Sequence, residues 1–404
     1  MARKIMAGSS TFIENLEDRT LFNHVHASQI LTDYFDNRGQ AFFTVSVALD
    51  TSTLSRKTAA IYTAGTDGIL GNTDDVRNYS YVGYRKGRLS VRANLATGQA
   101  YRVILNASVI KDINGRFLDG EFNGDLTASG DGVAGGNYDA ITQPAVKTRA
   151  RFSTAAGFIN VGFYRNTPIT KDNFVAYTNS GTYDNTIFHR AATTALLGFD
   201  FEQGGGYKLD YANNKTVAID THGNTIPNEG TNPNTLGTLA MANAGGNHTG
   251  SSQWFFNAKD NSGALDTTPG TYTVFGAVLD ADSQNTLNAL LALPNSGNQG
   301  NYPLGGDPNN QSDPNDVQST NVPIRSIQAI NDRHTADPTH TFSPKDDLIT
   351  VDRVAMLMDV VAPPGASKPA AVVANPAAVV AQTTPTPVAT PFLTIKNEKN
   401  SLLD

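Results

Sequence analysis

The chain has 404 residues, which is enough for two or three domains. Its 30 basic and 37 acidic side chains give a net charge of −7, and a mildly acidic chain without a basic run is not expected to bind nucleic acid. Cysteine is absent, which excludes disulfides, thiolate metal sites and cysteine nucleophiles, and no apolar run has the length of a membrane-spanning helix.

The sequence of residues 1–29 predicts a peripheral N-terminal segment that resembles an export tag. Arg3 and Lys4 are followed by no apolar stretch, so an ordinary signal peptide is not expected. Residues 12–21 resemble a short Leu-Glu-x-Arg-x-Leu tag near the start of predicted extracellular proteins of environmental bacteria. The alternative interpretation is one turn of amphipathic helix. The tag predicts a protein that is extracellular or in the cell envelope.

Residues 30–142 predict short strands separated by turn clusters, without a helical period. Apolar residues alternate with polar ones over residues 41–49, 88–94 and 101–108. Strands at this spacing are typical of a β-sandwich. Residues 98–115 resemble the end of bacterial Ig-like domains, so we expect an Ig-like β-sandwich here.

Two acidic loops in this part of the chain, residues 66–75 and 119–125, carry oxygen-bearing side chains at alternate positions, as a calcium loop does. Gly130 stands where the second loop would need a bidentate glutamate. Ordinary turn chemistry explains both loops. We therefore expect no metal and no other cofactor, with calcium as the alternative.

A Gly-rich hinge leads to a second predicted domain, residues 143–361. Its last strand is predicted over residues 348–356. Residues 294–321 are rich in Asn, Gly, Pro, Asp and Ser and predict a long solvated insertion. Residues 362–404 are rich in Pro, Ala and Thr and predict a disordered tail.

The second domain opens with a predicted β-hairpin over residues 152–164 and then a predicted helix. Thr170 is expected to cap this helix, because threonine side chains accept hydrogen bonds from the first free backbone N–H groups. Phe174 and Tyr177 lie on its expected apolar face.

Five short motifs follow, and together they offer one guanidinium, two amides and several apolar rings, without an obvious nucleophile. The motifs are Phe188-His189-Arg190, Gln203-Gly204-Gly205, Gly-Thr-Leu-Ala-Met-Ala-Asn at residues 237–243, Ser-Gln-Trp-Phe-Phe at residues 252–256, and Val274-Phe275-Gly276. In this order they resemble the cyclophilin family of peptidyl-prolyl cis-trans isomerases. The resemblance covers residues 150–359.

The resemblance implies a closed eight-stranded antiparallel β-barrel with two capping helices after the sandwich, and hence a mainly β chain. It implies that Arg190 is the catalytic guanidinium, which weakens the conjugation of an X-Pro amide. The substrate-binding residues that it implies are Phe199, Gln203, Met241, Ala242, Asn243, Gln253, Phe255, Leu265 and Tyr272. The expected partners are proline-containing peptides and unfolded proteins outside the cytoplasm, and the expected state is a monomer.

One segment departs from the family pattern. The connection from Arg190 to Gln203 is longer than the pattern allows. The ring of the proline pocket is then Phe199 or Phe201, and Phe199 is preferred because it follows a glycine. His189 is expected to be structural. The alternative function is a catalytically weak, cyclophilin-like peptide-binding module of a cell-surface or matrix protein.

Overall fold

The computed structural model shows a mainly β protein with few helices, which confirms the predicted class. Within the described part of the chain, no helix is both long and apolar enough to cross a membrane. The predicted tag, the predicted tail beyond residue 364 and most of the predicted insertion lie outside the described residues. The described residues are 27–122, 129–143, 148–192, 198–221, 223–230, 232–244, 246–267, 272–294, 302–304, 317–319, 322–326, 329, 332 and 343–364.

In its described residues, the N-terminal module contains eight strands, which form two antiparallel sheets. The strands are β1 (Ile30–Asp36), β2 (Gln40–Val45), β3 (Ala59–Thr63), β4 (Val76–Arg77), β5 (Tyr81–Arg85), β6 (Arg88–Arg92), β7 (Arg102–Leu105) and β8 (Tyr138–Thr142). The first sheet has the order β1-β2-β6-β5, and the second contains β8-β7-β3-β4. A short 3₁₀ turn, Thr51–Thr53, follows the first hairpin.

The alternating pattern of this module places one apolar face of each sheet in a shared core. Leu89 and Val91 of β6 are fully buried, as are Val103 and Leu105 of β7. Side chains from both sheets form one cluster that also contains Phe35. The module is therefore a two-sheet sandwich, and its Ig-like character stays a prediction.

Among its described residues, the second module contains the remaining strands and four helices with defined bounds. The strands are β9 (Arg149–Thr154), β10 (Phe158–Phe163), β11 (Thr186–Ile187), β12 (Arg190–Ala192), β13 (Phe201–Gly204), β14 (Tyr207–Asp210), β15 (Lys215–Ala218), β16 (Thr238–Met241), β17 (Trp254–Asn257), β18 (Thr273–Val278), β19 (Tyr302–Leu304), β20 (Val317–Ser319), β21 (Thr350–Met358) and β22 (Val360–Val361). The helices are α1 (Pro168–Asn179), α2 (Ser262–Leu265), α3 (Ala281–Leu291) and α4 (Pro344–Asp347).

The strands of this module follow the path β12-β13-β17-β16-β18-β10-β9-β21. The two ends of this path approach each other through residues 186–192. β11 pairs with β21, and β12, a few residues later, pairs with β13. These ladders do not form one continuous closed ring, so the closed eight-stranded barrel stays a prediction.

Helix α1 begins differently from the sequence-based expectation. Thr170 lies inside the helix, which starts at Pro168. The side chain of the N-cap residue, Thr167, makes no capping hydrogen bond. Instead the Glu229 carboxylate accepts hydrogen bonds from the backbone N–H groups of Ile169 and Thr170 at 3.0 and 2.7 Å. Thr170 is wrong as the cap because proline fits the first helical position, which moves the start two residues earlier.

The interior of the second module is a cluster of aromatic side chains. Phe152 packs against Phe174 of α1, Trp254 and Phe256 with ring centroids 4.9–5.7 Å apart. These four side chains have no solvent exposure. The contacts of Phe152 with Trp254 and Phe256 are edge to face, an arrangement that adds to the free energy gained by burial. The opposite faces of β13 and β17 are thereby left to form a surface site.

The two modules share a sheet. β21 pairs with β9 along most of its length, and its end pairs with β1 at Phe35 and Asp36. The following strand, β22, then pairs with β8. The Arg38 guanidinium also donates two hydrogen bonds to the Asp184 carboxylate at 2.7 and 2.6 Å. The predicted boundaries at 142 and 361 stay predictions, although β22 joins the sandwich sheet.

Candidate active site

Neighbouring strands place Arg190, Gln203 and Phe255 in one row. In the antiparallel register Arg190 lies opposite Gln203, and Gln203 lies opposite Phe255. The row continues through Ala240 of β16 to Val274 of β18. Directly opposed residues of an antiparallel pair project from the same face of the sheet. The fold thus assembles the guanidinium, an amide and an apolar wall from all five motifs.

The Arg190 side chain is exposed at one end of this row. Its Cζ atom lies 5.1 Å from the centroid of the Phe201 ring, which is a cation–π contact. Among the described residues, no carboxylate lies within ion-pair distance of its guanidinium. Its N–H donors are therefore available to a bound peptide.

Gln203 and Gln253 form an amide pair beside Arg190. The Nε2 atom of Gln203 donates a hydrogen bond of 2.8 Å to the Oε1 atom of Gln253. The pair fixes both side chains, and the Gln253 amide is also hydrogen-bonded to His189. Oε1 of Gln203 can accept from one N–H of an extended peptide backbone.

An apolar cluster lies next to the amide pair. Its buried members are Phe201, Ala240, Ala242, Phe255 and Val274, and its half-buried members are Tyr164, Phe199, Leu265 and Tyr272. The Phe255 ring lies 5.9 Å from that of Phe201 and 5.3 Å from that of Tyr272, both edge to face. This cluster has the composition expected of a pocket for a proline ring.

Phe201, rather than Phe199, is the ring that touches both Arg190 and Phe255. Phe199 stacks on the outer side of Phe201 with centroids 5.4 Å apart. The role of Phe199 in substrate binding stays a prediction, and Phe201 is an additional candidate. The long connection after Arg190 does not separate the site residues, because Ala192 pairs with Phe201 and Arg190 with Gln203.

The remaining predicted positions surround this cluster in different ways. Leu265 approaches it from α2 and Tyr272 from the start of β18. Ala242 donates its backbone N–H to the Gln253 carbonyl at 2.9 Å, and Asn243 follows it at the rim. The Met241 side chain is only 3% exposed and packs in the interior cluster, on the other side of the sheet. Its part in peptide binding stays a prediction.

The glycines after Gln203 are required by close packing. A Cβ atom at Gly204 would lie 2.4 Å from the Trp254 ring, and one at Gly206 would lie 3.0 Å from both Gln253 and His189. Any larger residue would push these side chains away, because real Cβ contacts are not so short. The glycine run therefore holds the indole and the Gln253 amide against β13.

His189 is buried next to the catalytic candidate. Its ring packs edge to face on Tyr207, and its Nδ1 atom has no hydrogen-bond partner among the described residues. Burial, together with the positive charge of Arg190, lowers the pKa of His189 to about 4. The imidazole is therefore neutral at pH 7, which agrees with a structural role.

Glu202 was not singled out by its sequence pattern. It lies opposite Phe256 and faces the interior, where it has no solvent exposure. Neither carboxyl oxygen has a hydrogen-bond partner among the described residues. Burial raises the pKa of Glu202 well above its usual value. One sequence signal could have drawn attention to Glu202. It directly precedes Gln203 on a strand, so its side chain points inward, where an apolar residue is expected.

The acidic loops of the sandwich are held by turn hydrogen bonds. Asp74 accepts from Thr66 and from the backbone of Asp67. Asp119 accepts from the backbone N–H groups of Asp131 and Gly132 at 3.1 and 3.0 Å. Asp119, Glu121 and Asp131 place carboxylate oxygens within 4.8 Å of one another. Such a cluster is also typical of loops without an ion, so the calcium alternative stays open.

The comparison with known proteins agrees with this geometry. The family model described as cyclophilin type peptidyl-prolyl cis-trans isomerase/CLD matches residues 149–332. The protein is similar to the Streptomyces antibioticus peptidyl-prolyl cis-trans isomerase cyp18, with 35% identity over 139 residues, which are 33% of this chain and 76% of that protein. It is also similar to the peptidyl-prolyl cis-trans isomerase of Acinetobacter baylyi, with 36% identity over 154 residues, which are 37% of this chain and 74% of that protein.

A solved structure of a Cryptosporidium parvum cyclophilin type peptidyl-prolyl cis-trans isomerase is also similar, with 21% identity and a TM-score of 0.31, covering 52% of this chain and 96% of that one. The family assignment rests on the two bacterial relatives, which are matched over about three quarters of their length. The enzyme class predicted from the motifs is confirmed, and the chain belongs to the cyclophilin-type peptidyl-prolyl cis-trans isomerase family.

Proposed function

We propose that the second module isomerises X-Pro bonds of extracytoplasmic proteins, with Arg190 as the catalytic residue. The observation that carries this proposal is the exposed Arg190 guanidinium, held on Phe201 beside the Gln203–Gln253 pair and the Phe255 cluster. The site contains a cation, a peptide-binding amide pair and an apolar wall within one face of the sheet.

The chemical task is rotation about an amide with partial double-bond character. The barrier to this rotation is about 18–20 kcal/mol. The cis and trans forms of an X-Pro bond differ by only about 0.5–1 kcal/mol, so no energy input is required. A catalyst must therefore bind the twisted amide more tightly than either planar form.

The residues of this site divide that task between them. The Phe255 cluster would hold the proline ring, and the Gln203–Gln253 pair would hold the flanking backbone. The Arg190 guanidinium would donate a hydrogen bond to the twisted prolyl amide, where the nitrogen lone pair has become free of conjugation. A preorganised donor of this kind contributes about 2.7–4 kcal/mol to the transition state.

The test is the cis/trans exchange rate of an Ala-Pro peptide with the full chain and with Arg190→Ala. We expect the variant to lose about 10²–10³-fold in kcat/KM, as for one charge-stabilising donor. Arg190→Lys is the matched control, because it keeps the charge but not the planar fork of donors. An Arg190→Ala rate equal to that of the unaltered chain would reject the assigned role.

A second candidate function is peptide binding with weak turnover. The Phe201 and Phe255 rings are only 4% and 5% exposed, so they pack on each other and leave little open ring surface. A proline ring would then have to displace one of them. Binding of a proline peptide by calorimetry, with an isomerisation rate no higher than that of Arg190→Ala, would favour this candidate over the enzyme.

We further propose that the second module closes into an eight-stranded barrel through residues 186–192, that the sandwich is an Ig-like module, and that the protein is extracellular or in the cell envelope. Support comes from the pairing of β11 with β21 and of β12 with β13, and from the Ig-like pattern of residues 98–115. Proline-containing segments of unfolded proteins would be the substrates, and the chain would act as a monomer.

A further inference from the structure

Arg151 of β9 is a buried guanidinium far from the isomerase row in the sequence. Its side chain is 2% exposed. The Nε atom donates a hydrogen bond of 2.8 Å to Oδ1 of Asn160, whereas Nη1 has no hydrogen-bond partner among the described residues. No carboxylate of the described chain forms an ion pair with it. A buried charge without a counter-charge is costly, commonly by several kcal/mol.

Aromatic rings from both modules surround this guanidinium. The Arg151 Cζ atom lies 3.8 Å from the ring centroid of Tyr34, 5.0 Å from that of Phe42 and 4.3 Å from that of Phe158. Tyr34 and Phe42 belong to the sandwich, whereas Phe158 belongs to the second module. Cation–π contacts offset part of the cost of burial, but they leave the Nη1 donor unsatisfied.

A cavity of about 60 Å³ lies at this point between the two modules. Its polar lining contains the two guanidinium side chains Arg88 and Arg151 together with several hydroxyl groups. The hydroxyl-bearing residues of the lining are Thr32, Tyr34, Thr44 and Ser283. The Arg88 Cζ atom lies 4.7 Å from the Phe158 ring, so both cations are held on one aromatic wall. The cavity exceeds the volume that a single water molecule needs.

Two aspartates at the start of α3 also line the cavity. Asp280 is already used: its Oδ1 accepts from the Ser283 backbone N–H at 2.7 Å, and its Oδ2 accepts from Nδ2 of Asn160 at 2.8 Å. It serves as the N-cap of the helix, where its charge is balanced by the helix dipole. Asp282 lies in the same first turn. Asp280 attracts the Arg151 guanidinium electrostatically, but neither aspartate forms a close ion pair with it and neither accepts from its Nη1 atom.

We propose that this cavity binds a carboxylate group, which pairs with Arg151 and Arg88. A carboxylate matches the fork of guanidinium donors, and a charge-assisted hydrogen bond to Nη1 would satisfy the donor that the protein leaves open. The carboxylate belongs to an acidic side chain of a polypeptide, a choice that rests on the proposed function, since the isomerase site of the second module also takes polypeptides. The site is separate from the isomerase row, which lies on other strands and has its own guanidinium.

The first experiment measures acetate binding to the full chain by calorimetry and by the shift of the melting temperature, with chloride at equal ionic strength as the reference. We expect acetate to raise the melting temperature and Arg151→Met to bind it at least about tenfold more weakly, because a buried charge pair is lost. Methionine keeps the unbranched apolar stem of the side chain without its charge, and replacing a buried ion by an apolar residue is often neutral for folding.

Two further variants separate this site from the rest of the chain. Arg88→Met, at a half-buried position, is expected to weaken acetate binding even if Arg151→Met does not fold. Arg190→Met is expected to bind acetate like the unaltered chain. No acetate binding, or equal binding by the unaltered chain and Arg88→Met or Arg151→Met, would overturn the proposal. Tighter binding of inorganic phosphate than of acetate would overturn the choice of a carboxylate.

Two probes at the same concentration test the choice of a polypeptide. N-acetyl-aspartate N-methylamide represents an acidic polypeptide, and glucuronate represents an acidic polysaccharide. We expect N-acetyl-aspartate N-methylamide to compete better with acetate in the unaltered chain and to lose this advantage in Arg151→Met, whereas better competition by glucuronate would overturn the choice of a polypeptide. Equal failure of both probes to compete would contradict a ligand-borne carboxylate at this site.

Discussion

Gln203 donates a hydrogen bond of 2.8 Å to Gln253, although the two residues are fifty positions apart in the chain. This bond links β13 to the segment before β17, on the face that carries Arg190. It has a direct consequence for the proposed reaction, because each amide fixes the orientation of the other.

Breaking the amide pair should impair substrate handling more than folding. Gln253→Leu leaves the Nε2 donor of Gln203 without its acceptor, and we expect about a tenfold loss in kcat/KM, in line with about 1–3 kcal/mol for an unsatisfied group. The double variant Gln203→Leu/Gln253→Leu should lose less than the sum of the single losses in free energy, because the pair acts as a unit. Strict additivity in the peptide assay would argue against coupling.

Phe201 should matter more for proline binding than Phe199. Phe201→Leu removes the ring between Arg190 and Phe255, so we expect a higher KM and a lower kcat. Phe199→Leu, the matched control, removes only the outer stacked ring and should change both constants less. Steady-state kinetics on an Ala-Pro peptide compare the two variants. A larger effect at Phe199 would restore it as the pocket ring.

Glu202→Met should stabilise the chain at neutral and alkaline pH. Burial raises the pKa of Glu202 above its unfolded value. The folded chain therefore loses stability as the pH rises from about 4.5 through the folded pKa of Glu202, because the carboxyl ionises less readily in the folded state. Removing an unsatisfied buried carboxyl should return about 1–3 kcal/mol at pH 8.

Urea unfolding at pH 5 and pH 8 measures this effect, and Glu202→Gln is the control that keeps the shape but cannot ionise. We expect the gain of Glu202→Gln over the unaltered chain to grow from pH 5 to pH 8. A gain that is the same at both pH values would show that ionisation of Glu202 has no part in it.

His189 should lower stability in acid. Its folded pKa of about 4 lies below the unfolded value of 6.5, so the unfolded chain binds the proton more tightly. The stability that the neutral imidazole contributes to the folded chain is fully present above pH 6.5 and decreases as the pH falls towards 4. At pH 4.5 we expect a loss of about 2–3 kcal/mol from this residue, at 1.36 kcal/mol per pKa unit.

His189→Gln removes the titrating group, and urea unfolding at pH 7.5 and pH 4.5 compares it with the unaltered chain. The variant should be less stable at pH 7.5 but should lose about 2–3 kcal/mol less between the two pH values. A parallel decrease in both proteins would mean that the imidazole titrates normally in the folded chain.

The sequence by itself determined the family. Motif order identified it and predicted that Arg190, Gln203, Gln253 and Phe255 belong to one site. The alternation of apolar residues determined which face of each strand is buried, as Leu89 and Val91 show. These signals are local, because a side chain alternates sides of a strand whatever its partner strand is.

Only the tertiary structure decided which residues meet across strands and between modules. The register of β12 against β13 made Phe201, not Phe199, the ring between Arg190 and Phe255. Three further features also depend on groups 30 or more positions away or on packing from all sides. They are the Glu229 cap of α1, the buried Glu202 and the Arg151 guanidinium between the two modules. Such contacts arise from non-local pairing and burial, which the order of residues along one segment does not encode.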